Sequence, residues 1–267
     1  MPAGTWIHRE AEPLKKLLRG EVVAISEMLQ KGDWRGVIRP CVVAILLGSG
    51  CYGAALGLWR APMMALYVGI KMPLLVGLTL LVNGLLNGML AQVLGSGLSF
   101  RQTLTACLMS FAIFSLVAGS LSPVVMAAVL DAPERGTEIS AAWYRGFLLS
   151  QTAVIAGAGV LANYRLLKLL RHVSGSDAVG TRTLLAWLTG NLFVGAQLSY
   201  TLRPFFGNPD LEVQFLRPNP FEGNFYEAVW GMMDLKAWWT VRPELAFFGG
   251  VVLMLILVVG VGRKLSS

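Results

Sequence analysis

Two asparagines inside an apolar stretch are the first residues of this chain whose type and spacing could serve a function. Asn83 and Asn87 stand four residues apart, so they share one face of a helix. Gly84 and Gly88 interleave with them in a small-xxx-small spacing, which lets a second helix approach while the amides bond across the contact. Packing between helices is the favoured interpretation. The alternative is a polar pathway or ligand site lined by Asn83, Asn87, Gln151, Asn191 and Gln197.

One arginine lies near the end of a later apolar run. Arg203 precedes Pro204, which weakens a helix at this point. We expect Arg203 either to extend to the headgroups at the membrane surface or to pair with a carboxylate of the loop that follows. Asp210 is the candidate partner. The six carboxylates of this loop match no calcium-loop or paired-acid spacing, so a solvated surface is favoured over a site.

Reactive constellations are absent from the apolar runs. These runs contain no Asp, Glu, Lys or His, so they lack the buried titratable groups that ion-driven transporters use. The two histidines, His8 and His172, lie outside the runs, which leaves a serine within the membrane without a base. No HExxH or nucleotide-binding motif occurs. We therefore predict no catalytic residue, no metal and no cofactor.

Composition identifies the solvent of this chain as lipid. Of its 267 residues 55% are apolar and 14% are charged, with a mean hydropathy of +0.62, whereas soluble domains carry about 25% charged residues. A helix crosses a membrane with about 20 apolar residues. Runs of about that length predict an all-α, polytopic transmembrane bundle of about six spans in one domain, residues 1–267. The runs are Val42–Leu58, Met72–Leu94, Thr103–Leu130, Phe147–Leu167, Leu184–Phe206 and Leu245–Val261. We expect Pro123 to kink or tilt the third run.

Basic residues outside the runs predict the orientation. With the N-terminus inside, that side receives 14 Lys and Arg residues and the other side 8, Lys71 among the latter. Both termini are therefore predicted to be cytoplasmic. Within residues 1–36 we predict an amphipathic helix, Pro13–Gln30, on the membrane surface or else packed against the cytoplasmic loop between spans four and five. The outer loop, residues 207–244, is predicted to hold a short interfacial helix that begins at Asn219, or a lid.

One stretch resembles a known family. Cys51–Thr79, CYGAALGLWRAPMMALYVGIKMPLLVGLT, is similar to bacterial members of the Yip (Ypt-interacting protein) superfamily. The shared features are Tyr-Gly in an apolar helix, an apolar connector, and Lys-x-Pro-Leu-Leu opening the next span. The resemblance implies a small polytopic membrane protein without a catalytic site, in a family linked in eukaryotes to small GTPases and vesicle traffic. The chain lacks the family's Asp-Leu-Tyr-Gly-Pro signature, and six predicted spans exceed its usual five.

Three functional hypotheses follow. The first is a non-enzymatic scaffold or accessory subunit, whose partners are the lipid bilayer and other membrane subunits or further copies of the chain. The second is a transporter or channel for a neutral or lipid-like solute, which tight mutual packing of Asn83, Asn87 and Asn191 would disfavour. The third is a membrane-embedded enzyme that acts at the outer face through Arg203 and the carboxylates of the outer loop. The net charge of +7 belongs to residues at the ends of the runs, so no nucleic-acid partner is predicted. The basic N-terminus and the Yip resemblance favour a bacterial inner membrane.

Overall fold

The computed structural model describes residues 12–31, 34–134, 137–206 and 212–227. All regular structure in these ranges is helical, which confirms the predicted all-α class. The helices are α1 (residues 12–19), α2 (Val22–Lys31), α3 (Trp34–Leu58), α4 (Pro62–Val93), α5 (Phe100–Ser120), α6 (Ser122–Leu130), α7 (Glu138–Ser174) and α8 (Asp177–Thr201). Short connections bring successive helices back alongside one another. As a result α3 packs against α4 and α5, and α8 packs against α4 and α7.

Four helical stretches in the described part of the chain are long and apolar enough to cross a membrane. They are Gly36–Leu58, Pro62–Val93, Phe100–Leu130 and Trp143–Ser174. These correspond to the first four predicted runs. The fifth run forms most of α8, but Asn191 and Gln197 lower the hydropathy of that helix, and it does not join the four. The sixth run, Leu245–Val261, lies outside the described residues. Of about six predicted spans, four are therefore supported.

The break predicted at Pro123 is present. Helix α5 ends at Ser120 and α6 begins at Ser122, with the proline in the first turn of α6. Proline fits this position because the first helical N–H groups have no partner inside the helix. The kink therefore falls just before the proline, as expected.

Helix α4 begins much earlier than its apolar run indicated. Its first residue is Pro62, not Met72. Proline at the first helical position starts a helix, so the segment from Pro62 to Lys71, which was interpreted as a connector, is nearly the first third of α4. Lys71, which we had assigned to the outer loop, lies inside this helix. The expectation that no lysine lies within a span is therefore wrong.

Glycines mark the closest contacts between helices. A methyl group added to Gly53 or Gly57 of α3 would collide with the backbone of α4, and one added to Gly48 would collide with the backbone of α5. On α4, Gly84 and Gly88 lie directly against side chains of α5. The predicted small-xxx-small pattern of the second run, and the same spacing of Gly53 and Gly57 in the first run, therefore do pack helices together.

The N-terminal segment is two helices and not the single predicted helix Pro13–Gln30. Gly20, with φ +72°, separates α1 from α2, a conformation that glycine adopts without strain. Leu17, Ile25 and Leu29 are buried in the main hydrophobic core, and α2 packs against α5 and α7. The apolar face of this segment thus lies against the bundle itself.

The segment after α8 folds differently from its prediction. Asn219 does not begin a helix: it has φ +54°, and it lies in a turn in which its side chain donates to Glu222 Oε2 across 3.1 Å. Helical residues appear at 225–227, where the Oδ1 atom of Asn224 accepts from the Glu227 N–H at 2.8 Å. Asn224 is therefore the cap. The remaining apolar residues of the predicted helix, Val229, Met232 and Met233, lie outside the described residues.

Candidate functional site: a polar seam between α4 and α8

Buried polar residues of α4 lie in one line because they are spaced at multiples of four residues. The line runs from Lys71 to Asn87, and it faces α8 and the chain just beyond α8. The two helices are antiparallel, so Asn87 lies beside Asn191 while Lys71 lies beside Pro204. We name this line and its partner on α8 the α4–α8 seam, which consists of Lys71, Thr79, Asn83, Asn87 and Asn191.

Two asparagines of the seam bond across it, and the third, Asn83, faces the α8 backbone at Gly190. The Nδ2 atom of Asn87 donates to Asn191 Oδ1 across 3.4 Å and lies 3.7 Å from the Cys107 sulfur. A methyl group on Gly190 would lie 3.3 Å from Asn83 Oδ1, so α8 approaches closely at this point. Asn83 and Asn87 are 0% and 1% exposed. This packing favours the helix-joining interpretation over a polar pathway for a neutral solute.

Several polar atoms along the seam and beside it have no hydrogen-bond partner among the described residues. Both amide atoms of Asn83 and the Oδ1 atom of Asn87 are in this state, as are Trp187 Nε1 and Thr183 Oγ1 of α8. Trp187 and Thr183 continue the line of Asn191 along α8 at four-residue steps. The seam therefore carries more hydrogen-bonding capacity than its helices use.

Lys71 is the one fully buried charged residue in the described ranges, with 0% of its surface exposed. Its ammonium Nζ donates to the carbonyl oxygen of Pro204 across 2.9 Å. It also lies 5.0 Å from the ring centre of Phe215 and 5.9 Å from that of Phe205, which is cation–π range. Tyr67 meets the Phe215 ring edge-on at 5.3 Å. Lys71 forms no ion pair with any described residue.

The burial of Lys71 inside α4 makes it a functional candidate. It is the tenth residue of α4, about 14 Å along the helix from Pro62 at 1.5 Å per residue. A cation enclosed within a helix able to cross a membrane is costly and is typical of a functional position. The signal that could have revealed it was Pro62 followed by eight residues without a charge, which predicts that a helix is already under way at Lys71.

The other predicted site residues lie at one end of the seam. Arg203 is half-buried and turns back on its own helix: its guanidinium stacks 3.6 Å from the ring centre of Tyr200 and donates to the Tyr200 carbonyl at 2.7 Å. Gln197 Oε1 accepts from the Phe225 N–H at 3.0 Å, so it holds the segment after α8. Asp210 lies outside the described residues, and its pairing with Arg203 stays a prediction.

Gln151 does not join the seam. It accepts a hydrogen bond of 2.9 Å from the hydroxyl of Tyr52 and links α7 to α3 in the interior. Both residues are buried. This pair is a second polar contact between helices, consistent with a structural use of the amides within the spans.

A cluster of aromatic rings lies where α3 turns into α4. Trp59 stacks on Trp143 and on Tyr144, at centroid distances of 5.8 and 4.5 Å, and Trp143 stacks on Phe147 at 4.9 Å. A groove of about 510 Å³ opens beside Trp59 and is lined by mainly apolar residues and Glu134. Such rings are typical of a membrane–water boundary.

The described ranges bring no set of side chains together for metal binding or thiol chemistry. Those ranges hold no group of three or more His, Cys, Asp or Glu side chains that could bind a metal. Cys41 and Cys107 are buried, Cys51 is exposed, and all three are free thiols.

Neither a protein-family profile, nor a curated protein, nor a solved structure matches this chain. Function must therefore be inferred from the site itself. The described chain is an all-helical protein with four helices able to cross a membrane, joined by buried amides and carrying one buried lysine.

Proposed function

We propose that this chain is a multi-pass integral membrane protein that acts without catalysis, as a scaffold or accessory subunit of a membrane assembly. The observation that carries this proposal is that polar residues of the helices bond to one another across helix contacts. Asn87 bonds Asn191, and Tyr52 bonds Gln151. These contacts hold helices together within the bundle. Partners would then be bound by packing against its outward faces.

The outer surface of α7 supports this role. Gly146, Ser150, Ala153 and Gly157 are exposed and recur every three or four residues, so they form one outward face. A methyl group added to Gly146 or Gly157 would meet nothing within 4 Å. A flat face of small residues suits close approach by another membrane helix. The partner is a span of another subunit or of a second copy of this chain.

The proposed location is a bacterial inner membrane, with the N-terminal segment in the cytoplasm. The excess of basic residues on the N-terminal side supports this orientation. Because Lys71 lies inside α4, it no longer counts toward the opposite side, and the asymmetry grows. The cytoplasmic C-terminus and the relation to the Yip superfamily stay predictions.

Two of the alternatives are less well supported. The Asn87–Asn191 bond and the close approach of Gly190 to Asn83 weigh against a path for a neutral solute at this point between α4 and α8. Enzyme chemistry through Arg203 is less well supported because its guanidinium is engaged by Tyr200 in the last turn of α8. Lys71 favours a different second candidate, the recognition of an anion inside the bundle.

Co-purification tests the scaffold proposal. The full chain and a Gly146→Leu/Gly157→Leu variant are purified from native membranes in mild detergent, and accompanying chains are identified by mass spectrometry. Gly77→Leu on α4 is the matched control, since Gly77 is also exposed with nothing within 4 Å of an added methyl. We expect the α7 variant, and not the control, to lose the partner. A wild-type protein that is a monomer without a partner would contradict the proposal.

A further inference from the structure

We propose that Lys71 is the recognition group of an anion site within the bundle, which takes the carboxylate or phosphate oxygens of a membrane amphiphile. This inference does not depend on the scaffold role. It rests on three observations: the number of acceptors around the ammonium, the composition of the walls around it, and the neighbours of Lys71 on α4.

The ammonium group has more donors than the described residues use. A lysine side chain carries three N–H donors, and one of them is taken by the Pro204 carbonyl. The rings of Phe205 and Phe215 attract the charge but accept no conventional hydrogen bond. A buried charge is normally balanced by an opposite charge together with further hydrogen bonds. The described residues supply neither a carboxylate nor a second acceptor.

The walls of the site suit a ligand with an apolar part. Phe205 and Phe215 present aromatic surface to the ammonium, and Tyr67 supports the Phe215 ring edge-on. Next to Lys71 on α4, Ile70 and Leu74 are 50% and 40% exposed on the outside of the bundle. An amphiphile could place its head at Lys71 while its chain lies along these two residues. A small hydrated anion would have to lose its water without such a contact, so a lipid headgroup is favoured over free phosphate.

Entry of the ligand requires Pro204 and Phe215 to move away from Lys71, since both lie against its ammonium. An anionic oxygen in the place of the Pro204 carbonyl would add an opposite charge to the hydrogen bond, which makes it stronger than the one it replaces. The structure thus corresponds to a closed site in which a backbone carbonyl takes one ligand position.

The test uses the full chain in nanodiscs of phosphatidylcholine, with or without phosphatidylglycerol. A separate arm adds inorganic phosphate to phosphatidylcholine nanodiscs at matched ionic strength. We expect phosphatidylglycerol to raise the Tm of the wild type by about 5 °C and to leave Lys71→Met unshifted. Lys168→Gln is the matched control, because it removes a cation that lies over the ring of Tyr164 on α7, and it should keep the shift.

Native mass spectrometry gives a second readout that does not depend on stability. We expect the wild type to retain one phosphatidylglycerol that Lys71→Met loses. A shift with inorganic phosphate alone that also needs Lys71 would support the anion site and identify free anions as its source. The proposal is overturned if Lys71→Met responds to anions as the wild type does. It is equally overturned if the wild type neither shifts nor retains an anionic lipid.

Discussion

The ammonium of Lys71 lies 2.9 Å from the carbonyl oxygen of Pro204, which follows it by 133 residues. This contact joins the first half of α4 to the segment that leaves α8. On the same face of α4, Asn83 and Asn87 meet α8 itself. One helix face therefore carries a cation near one end and amides further along, all directed at one partner. The predictions below test the parts of this arrangement separately.

The two asparagines of α4 should differ in their contribution to stability. Asn87→Ala removes the hydrogen bond to Asn191, whereas Asn83→Ala removes a side chain with no described partner. Both substitutions leave a cavity of the same size. We therefore expect Asn87→Ala to lower the free energy of unfolding by about 0.6 kcal/mol more than Asn83→Ala, and by at most about 1.7 kcal/mol more. Unfolding in mixed micelles of a mild detergent and SDS measures this difference.

The control for this pair is a double-mutant cycle with Asn191→Ala. The coupling energy should be positive for Asn87 with Asn191 and close to zero for Asn83 with Asn191. Equal coupling energies for the two pairs would contradict this prediction, because the hydrogen bond to Asn191 would then not distinguish Asn87 from Asn83.

Substitution should destabilise the protein more at a glycine that contacts a neighbouring helix than at a glycine that faces outward. Gly57→Ala places a methyl group against the α4 backbone at Met64, whereas Gly77→Ala places one in open space. We expect Gly57→Ala to cost about 1–3 kcal/mol through overpacking. Gly77→Ala should be neutral or slightly stabilising, because alanine favours a helix. Thermal unfolding of both variants in one detergent makes the comparison, and a Gly57→Ala protein as stable as Gly77→Ala would refute the close contact.

Arg165 should hold the N-terminal segment against the bundle. Its guanidinium donates to the carbonyls of Leu18 and Arg19, at 3.2 and 3.3 Å, where α1 ends. Loss of these charge-assisted bonds costs about 1–2 kcal/mol. This corresponds to an increase of about five- to thirty-fold in the population whose N-terminal segment is detached from the bundle. We expect Arg165→Gln to speed trypsin cleavage within residues 12–31 by that factor.

Lys168→Gln is the matched control for this experiment. Lys168 lies on the same helix, and its ammonium is over the ring of its own neighbour Tyr164 at 4.6 Å. Cleavage should therefore keep the wild-type rate. If the N-terminal segment is bound by lipid and not by α7, Arg165→Gln will be cleaved no faster than this control.

Spacing along one helix predicted half of the seam. Asn83 and Asn87 share a face because they are four residues apart, but Gly84 and Gly88, which were expected at the same contact, pack against α5 instead. Nothing local identifies Asn191 as the partner of Asn87, since the pairing depends on how α8 returns across 104 residues of chain. A pattern within one helix determines a face, but the neighbour of that face is a property of the whole fold.

Lys71 was missed for a different reason. Its charge separates two apolar stretches, and a boundary drawn by hydropathy stops at a charge. Helix formation depends instead on backbone propensity and on the start at Pro62, so α4 continues through the lysine. Arg203 shows the opposite limit: the fifth run was predicted to extend to Phe206, but α8 ends at Thr201, so Arg203 lies just beyond the helix and bonds Tyr200 in its last turn. The direction of a side chain at a helix end depends on its contacts in the folded protein, and the spacing of residues along the chain does not reveal these contacts.

The burial of Lys71 within a membrane-spanning helix is tested most directly by cysteine labelling. Lys71→Cys and Arg60→Cys are made in a protein whose native cysteines have been replaced, and opened membranes are treated with a membrane-impermeant maleimide. Arg60 lies in the turn between α3 and α4. A thiol at position 71 should stay unlabelled until the protein is denatured, while a thiol at position 60 should react in the folded protein. Equal labelling of both positions in the folded protein would contradict the placement of Lys71 inside the bundle.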